Sequence, residues 1–129
     1  MAKITYLRSR MSKTKEMALT IGVDSTKYLD HDHDMYFIRS MIDINRTLEQ
    51  VNTNKPYLCK LDKMGGRYLF FFRNDNAAIT KSSILKILEL CKSYNVREIA
   101  FSEYEIRDVI ESLDELTADY DTQIYINIF

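Results

Sequence analysis

Four consecutive large apolar side chains, Leu69-Phe70-Phe71-Phe72, set the tightest limit on what this chain can fold into. Successive residues of a strand point to opposite faces of a sheet, so an unbroken apolar run needs cover on both sides. Just ahead lie Tyr57 to Leu61 and the turn Asp62-Lys63-Met64-Gly65-Gly66, where glycine supplies the positive φ angles of a hairpin. The pattern predicts an antiparallel pair whose second strand, Arg67 to Phe72, is buried on both faces.

No glycine follows Gly66, and the remaining chain alternates helical and extended patterns. A helix is expected over Thr80 to Tyr94, with Ile84, Ile87, Leu88, Cys91 and Tyr94 on one stripe. Thr80 and Ser82 are its candidate caps, and Asn95 is a plausible left-handed stop. A strand at Arg97 to Phe101 follows, then a helix over Glu105 to Leu116 with Ile106, Val109, Ile110, Leu113 and Leu116 inward, then a strand from Thr122 to Phe129. Strand, helix, strand in succession calls for parallel crossovers. Upstream, Lys3 to Leu7 and Met17 to Val23 read as strands. A helix is expected from Asp34, its N-cap, to Val51, because Phe37, Met41, Ile44, Leu48 and Val51 recur at helical spacing before Pro56.

With 129 residues, 46% hydrophobic and 29% charged, the chain fits one globular domain, expected to span residues 1 to 129. No apolar run nears the roughly 18 residues of a membrane span, and no secretory leader pattern opens the chain, so no membrane and a cytoplasmic setting are expected. Cys59 and Cys91 stand far apart within apolar patterns, which suits reduced thiols. The net charge of −1 hides a basic opening and an acidic stretch from Glu98 to Asp121 opposed only by Arg107. That balance argues against a nucleic acid partner, which needs many phosphate contacts, and the acids read as a solvated face. Tyr68 and the phenylalanines beside Arg67 and Arg73 are better placed in a core than on a base-stacking sheet.

His31-Asp32-His33-Asp34 carries imidazole and carboxylate groups, making His31 and His33 candidate metal ligands. A second local ligand cluster is missing, so an acidic loop capping a helix is the simpler reading and no metal is expected. Gly65-Gly66 lacks phosphate-loop spacing, and neither histidine has a Ser or Cys partner in a nucleophile elbow.

Lys3-Ile4-Thr5-Tyr6-Leu7, Tyr57-Leu58-Cys59-Lys60-Leu61, Gly66-Arg67-Tyr68-Leu69-Phe70-Phe71-Phe72 and the helix at Ser83 to Tyr94 running into Val96-Arg97-Glu98-Ile99-Ala100-Phe101 together resemble a macrodomain. The similarity points to the terminal ADP-ribose protein glycohydrolase branch. The resemblance implies an α/β, three-layer fold with a mixed central sheet of about six strands flanked by about three helices. In competent members it also implies an ADP-ribose cleft at the strand ends.

Departures from that pattern shape the functional expectation. Ser9 and Arg10 stand where the resemblance implies Gly-Asp against the adenine, and Asp24 to Asp34 is acidic and glycine-free where a glycine-rich loop is implied. Side chains keep backbone amides from a diphosphate, and clustered carboxylates repel it. Ser102-Glu103-Tyr104 replaces the second loop, and Arg73, Asn74, Asp75 and Asn76 occupy the place implied for a catalytic lysine, with Lys81 a poor match nearby. Candidates for a reshaped cleft are Asp24, Ser102, Glu103 and Tyr104; no catalytic residue is matched, and hydrolysis would have to recruit Asp75 or Glu103. The expectation is a cofactor-free, non-catalytic binding protein acting on an unknown protein partner, as a phage or mobile-element accessory. The alternative is binding, or hydrolytic removal, of an ADP-ribose-like ligand.

Overall fold

The computed structural model describes residues 2–8, 18–23, 44–51, 55–61 and 67–128. These form β1 (Ile4–Leu7), β2 (Ala18–Val23), α1 (Ile44–Gln50), β3 (Tyr57–Leu61), β4 (Arg67–Arg73), α2 (Ala77–Ser93), β5 (Glu98–Ser102), a 3-10 segment (Tyr104–Ser112), α3 (Leu113–Leu116) and β6 (Gln123–Asn127). One six-stranded sheet runs in the order β1-β6-β5-β2-β4-β3. All neighbours are parallel except the β3–β4 pair, which is antiparallel in the register Cys59↔Leu69, as the Gly-Gly hairpin predicts. The turn residues 62–66 lie outside the described residues.

The apolar quartet is fully buried, and its alternation divides the core into two layers. Phe70 and Phe72 join Ile84, Ile87, Leu88 and Cys91 of α2 with Ile106, Val109 and Leu113 on one face. Here Phe72 meets Phe101 edge to face, ring centroids 6.0 Å apart. Leu69 and Phe71 join Leu19, Ile21, Val23, Ala100 and Val51, the residue after α1, on the other. A strand covered on both sides, flanked by helices, is the mixed α/β arrangement expected.

Helix boundaries differ from the sequence reading. α2 starts at Ala77, capped by Asn76, whose Oδ1 accepts from the Ile79 amide at 2.9 Å. Thr80 is already inside the helix, its hydroxyl donating to Asn76 O at 2.7 Å, so the proposed Thr80 and Ser82 caps are displaced by a residue with a shorter reach to its own backbone. The stop is as expected: Asn95 has φ 56°, and Val96 N donates to Cys91 O at 2.7 Å while Asn95 N reaches Lys92 O, a Schellman closure. Tyr94 is half exposed and tilts onto Tyr68 rather than facing the core. Of the expected helix over 34–51, the described part is α1; Asp34, Phe37 and Met41 lie outside the described residues.

Glu105 to Leu116 is not an α-helix but 3-10 structure ending in one α turn, so fewer α-helices flank the described sheet than expected. The cause is visible in its carbonyls. Tyr104 O accepts from Arg107 Nη1, Glu105 O from Asn74 Nδ2 and Val109 O from Ser112 Oγ, at 2.7, 3.0 and 3.2 Å. Side-chain donors compete with the backbone N–H groups that an α ladder would offer these oxygens, and Ile106 leaves helical geometry at φ −115°, ψ 19°. Ile106, Val109 and Leu113 still face inward as the spacing predicts.

β2 pairs with β4 along its whole length but with β5 only at Ala18↔Ile99 and Leu19↔Ala100. Beyond that point side chains replace the ladder: Thr20 Oγ1 donates to Ala100 O at 2.8 Å, and the Gly22 amide donates to Glu105 Oε2 at 2.8 Å. A Cβ on Gly22 would stand 2.6 Å from Asn74 Nδ2 and 3.2 Å from Glu105 Cβ.

Gly22→Ala is therefore expected to destabilise the protein by about 1–3 kcal/mol through overpacking, seen as a lower urea midpoint at unchanged slope. Burial pushes the Cys91 thiol from its ordinary value of 9.0 up to about 12, and Cys59 is raised by the same cause, against hydrogen bonds to Thr47 and Tyr57. A raised folded-state value leaves stability intact below pH 9, and stability falls as the unfolded thiols ionise between about pH 9 and 12. Cys91 should accordingly stay silent to a thiol reagent at pH 8 until the chain is unfolded, with Cys91→Ala flattening the alkaline loss after its own cavity cost.

Candidate functional site

Parallel strands aim their carboxyl ends at one edge of the sheet, and a crevice opens where neighbouring strands send the chain to opposite faces. β2 and β5 are such neighbours. After β2 the next described element is α1, whose end packs through Val51 with Leu19, Ile21 and Val23. After β5 the chain enters the 3-10 segment, packed through Ile106 and Val109 on the other face. Their pairing ends after two residue pairs, and the Gly22–Glu105 contact bridges the two segments beyond it.

One rim is Ser102-Glu103-Tyr104. Ser102 ends β5 opposite Asn127 of β6, and the Glu103 amide extends the pairing by donating to Asn127 O at 3.0 Å. Tyr104 projects with 57% of its surface exposed, and Arg107 stacks over it, guanidinium carbon 4.2 Å from the ring centre. This pins an aromatic face beside the strand ends without burying it. The other rim is Val23, whose carbonyl accepts from the Asn74 amide at 3.2 Å. Asp24 comes next and, like Ser9, Arg10, His31 and His33, lies outside the described residues. Among the described residues no group of His, Cys, Asp and Glu side chains could hold a metal ion, and no helix is long and apolar enough to cross a membrane.

Ser102, Glu103 and Tyr104 thus follow one another from the end of β5 into the 3-10 segment at the carboxyl edge. Sequence reasoning missed Gly22, Glu105, Asn74 and Asn127. The first three make contacts across long stretches of chain, 83 residues between Gly22 and Glu105 and 31 between Asn74 and Glu105. Glu105 was hidden among acids; Asp108, Glu111, Asp114 and Glu115 are indeed solvated, whereas Glu105 turns inward.

The residues after the apolar quartet have structural duties. Arg73 Nε and Nη2 donate to the two carboxylate oxygens of Asp75 at 2.9 and 2.8 Å, and the pair is mostly shielded from solvent. Asn74 bridges to Glu105, Asn76 caps α2, and Ser83 Oγ donates to Arg73 O at 2.9 Å. Lys81 is exposed on α2. Both carboxylate oxygens of Asp75 are thus engaged by the Arg73 guanidinium.

No family model and no curated protein matches the chain. Solved structures do. The macrodomain of Mycobacterium tuberculosis DarG is 14% identical at TM-score 0.80, with 98% of this chain and 97% of that chain covered. The macrodomain of Thermus aquaticus DarG is 14% identical at TM-score 0.78, with 98% of each chain covered. The macro domain of ganglioside induced differentiation associated protein 2 is 10% identical at TM-score 0.68, covering 98% of this chain and 77% of that one. Identities at this level speak to architecture alone: the chain has the macrodomain fold.

Proposed function

We propose that this protein binds ADP-ribose or a related nucleotide in the crevice between β2 and β5, and that it does so without cleaving it. The observation that carries the reading is the parting of these two strands at the carboxyl edge of a macrodomain-fold sheet. Such a crevice takes a nucleotide lengthwise, and the Tyr104 face supplies a stacking surface at its rim. Non-cleavage rests on the commitment of Arg73, Asn74, Asp75 and Asn76 to one another, to Glu105 and to α2. The protein-partner role expected from the sequence finds support only in the exposed acids of the 3-10 segment and α3, a feature shared with many solvated surfaces.

Calorimetric titration with ADP-ribose is expected to give saturable heat at a Kd of about micromolar, roughly −8 kcal/mol. Heat that stays at the dilution level up to millimolar ligand would remove the reading. Incubation with an ADP-ribosylated protein is expected to leave the modification in place by mass spectrometry; its loss would instead revive hydrolysis.

A further inference from the structure

Asn127 ends β6 at the carboxyl edge and is only 4% exposed. Neither its Nδ2 nor its Oδ1 finds a hydrogen-bond partner among the described residues. In the sheet it stands opposite Leu7 of β1 and Ser102 of β5, with its carbonyl accepting from the Glu103 amide. By strand alternation its side chain shares a face with Tyr125 and with Ser102, because Ile124 and Ile126 pack into the opposite layer. A buried amide with neither donor nor acceptor engaged is a cost that folding alone does not explain, since an apolar residue of the same shape would fit more stably.

We propose that the Asn127 side-chain amide reads the base of the bound nucleotide, accepting from the exocyclic amine of adenine and donating to the neighbouring ring nitrogen. An amide carries donor and acceptor side by side, the complement of that adenine edge, and a buried pairing discriminates because a base lacking either partner leaves a polar group unmatched. Asn127 adjoins the Ser102–Glu103 rim, one strand over from the crevice, so a nucleotide lying across β5 brings its base to Asn127 and its remaining length toward Gly22. The assignment rests on the nucleotide reading given above.

The test uses the full chain and the variant Asn127→Leu. Without ligand, N127L is expected to melt about 2–5 °C higher, because an unpaired buried amide is removed. With ADP-ribose, its Kd is expected to weaken about tenfold to a hundredfold. An ADP-ribose analogue lacking the 6-amino group should bind the unaltered protein more weakly by a similar factor and bind N127L no worse than ADP-ribose does. A lower melting point for N127L would show a structural residue and overturn the assignment. So would equal ADP-ribose affinity of the two proteins, or an amine effect that persists in N127L. An unaltered protein that ignores ADP-ribose overturns the nucleotide reading itself, a failure separate from these.

Discussion

The Glu105 carboxylate on the Gly22 amide is the contact on which the working edge of this sheet depends. Without it, β2 would leave its partner after two register pairs with an amide facing the gap. A charged acceptor makes a shorter, stronger bond than a carbonyl and reaches across a separation too wide for strand pairing. The same residue offers its carbonyl to Asn74 at the end of β4, so three chain segments meet on one side chain and its backbone. Only glycine leaves room for this meeting at position 22.

That arrangement explains why the segment after β5 is 3-10 rather than α. Glu105 sits at its start and faces the sheet with both side chain and carbonyl, which competes with an α ladder. The tighter winding keeps Ile106 and Val109, three residues apart, on the buried edge. Local structure is here set by a tertiary contact, and the acidic sequence around it supplies solubility on the outward side.

Much of the architecture was legible because its signals are local. The apolar quartet announced a doubly covered strand, Gly65-Gly66 the antiparallel hairpin, and Asn95 the left-handed stop. The cap of α2 was misplaced because Asn76, Thr80 and Ser82 are all chemically able to cap, and only the position of β4's end selects among them. Ser102 to Tyr104 could be placed after β5 because that strand is readable. Gly22–Glu105 was invisible to a pattern reading, being a contact between residues far apart in sequence, and Asn127 was masked by the apolar alternation of Ile124 and Ile126 around it.

The short β2–β5 pairing also divides the backbone ladder of the sheet into two halves. Strands β1, β6 and β5 are laddered over four or five residues each, and β2, β4 and β3 over five or six, while the two halves share only two backbone pairs. Beyond those pairs the two halves are tied by the side-chain bonds of Thr20 to Ala100 and of Glu105 to Gly22. Both core layers run across that junction, with Phe72 against Phe101 on one face and Leu19 clustered with Ala100 on the other, so it is side-chain packing more than a backbone ladder that keeps the two halves in register.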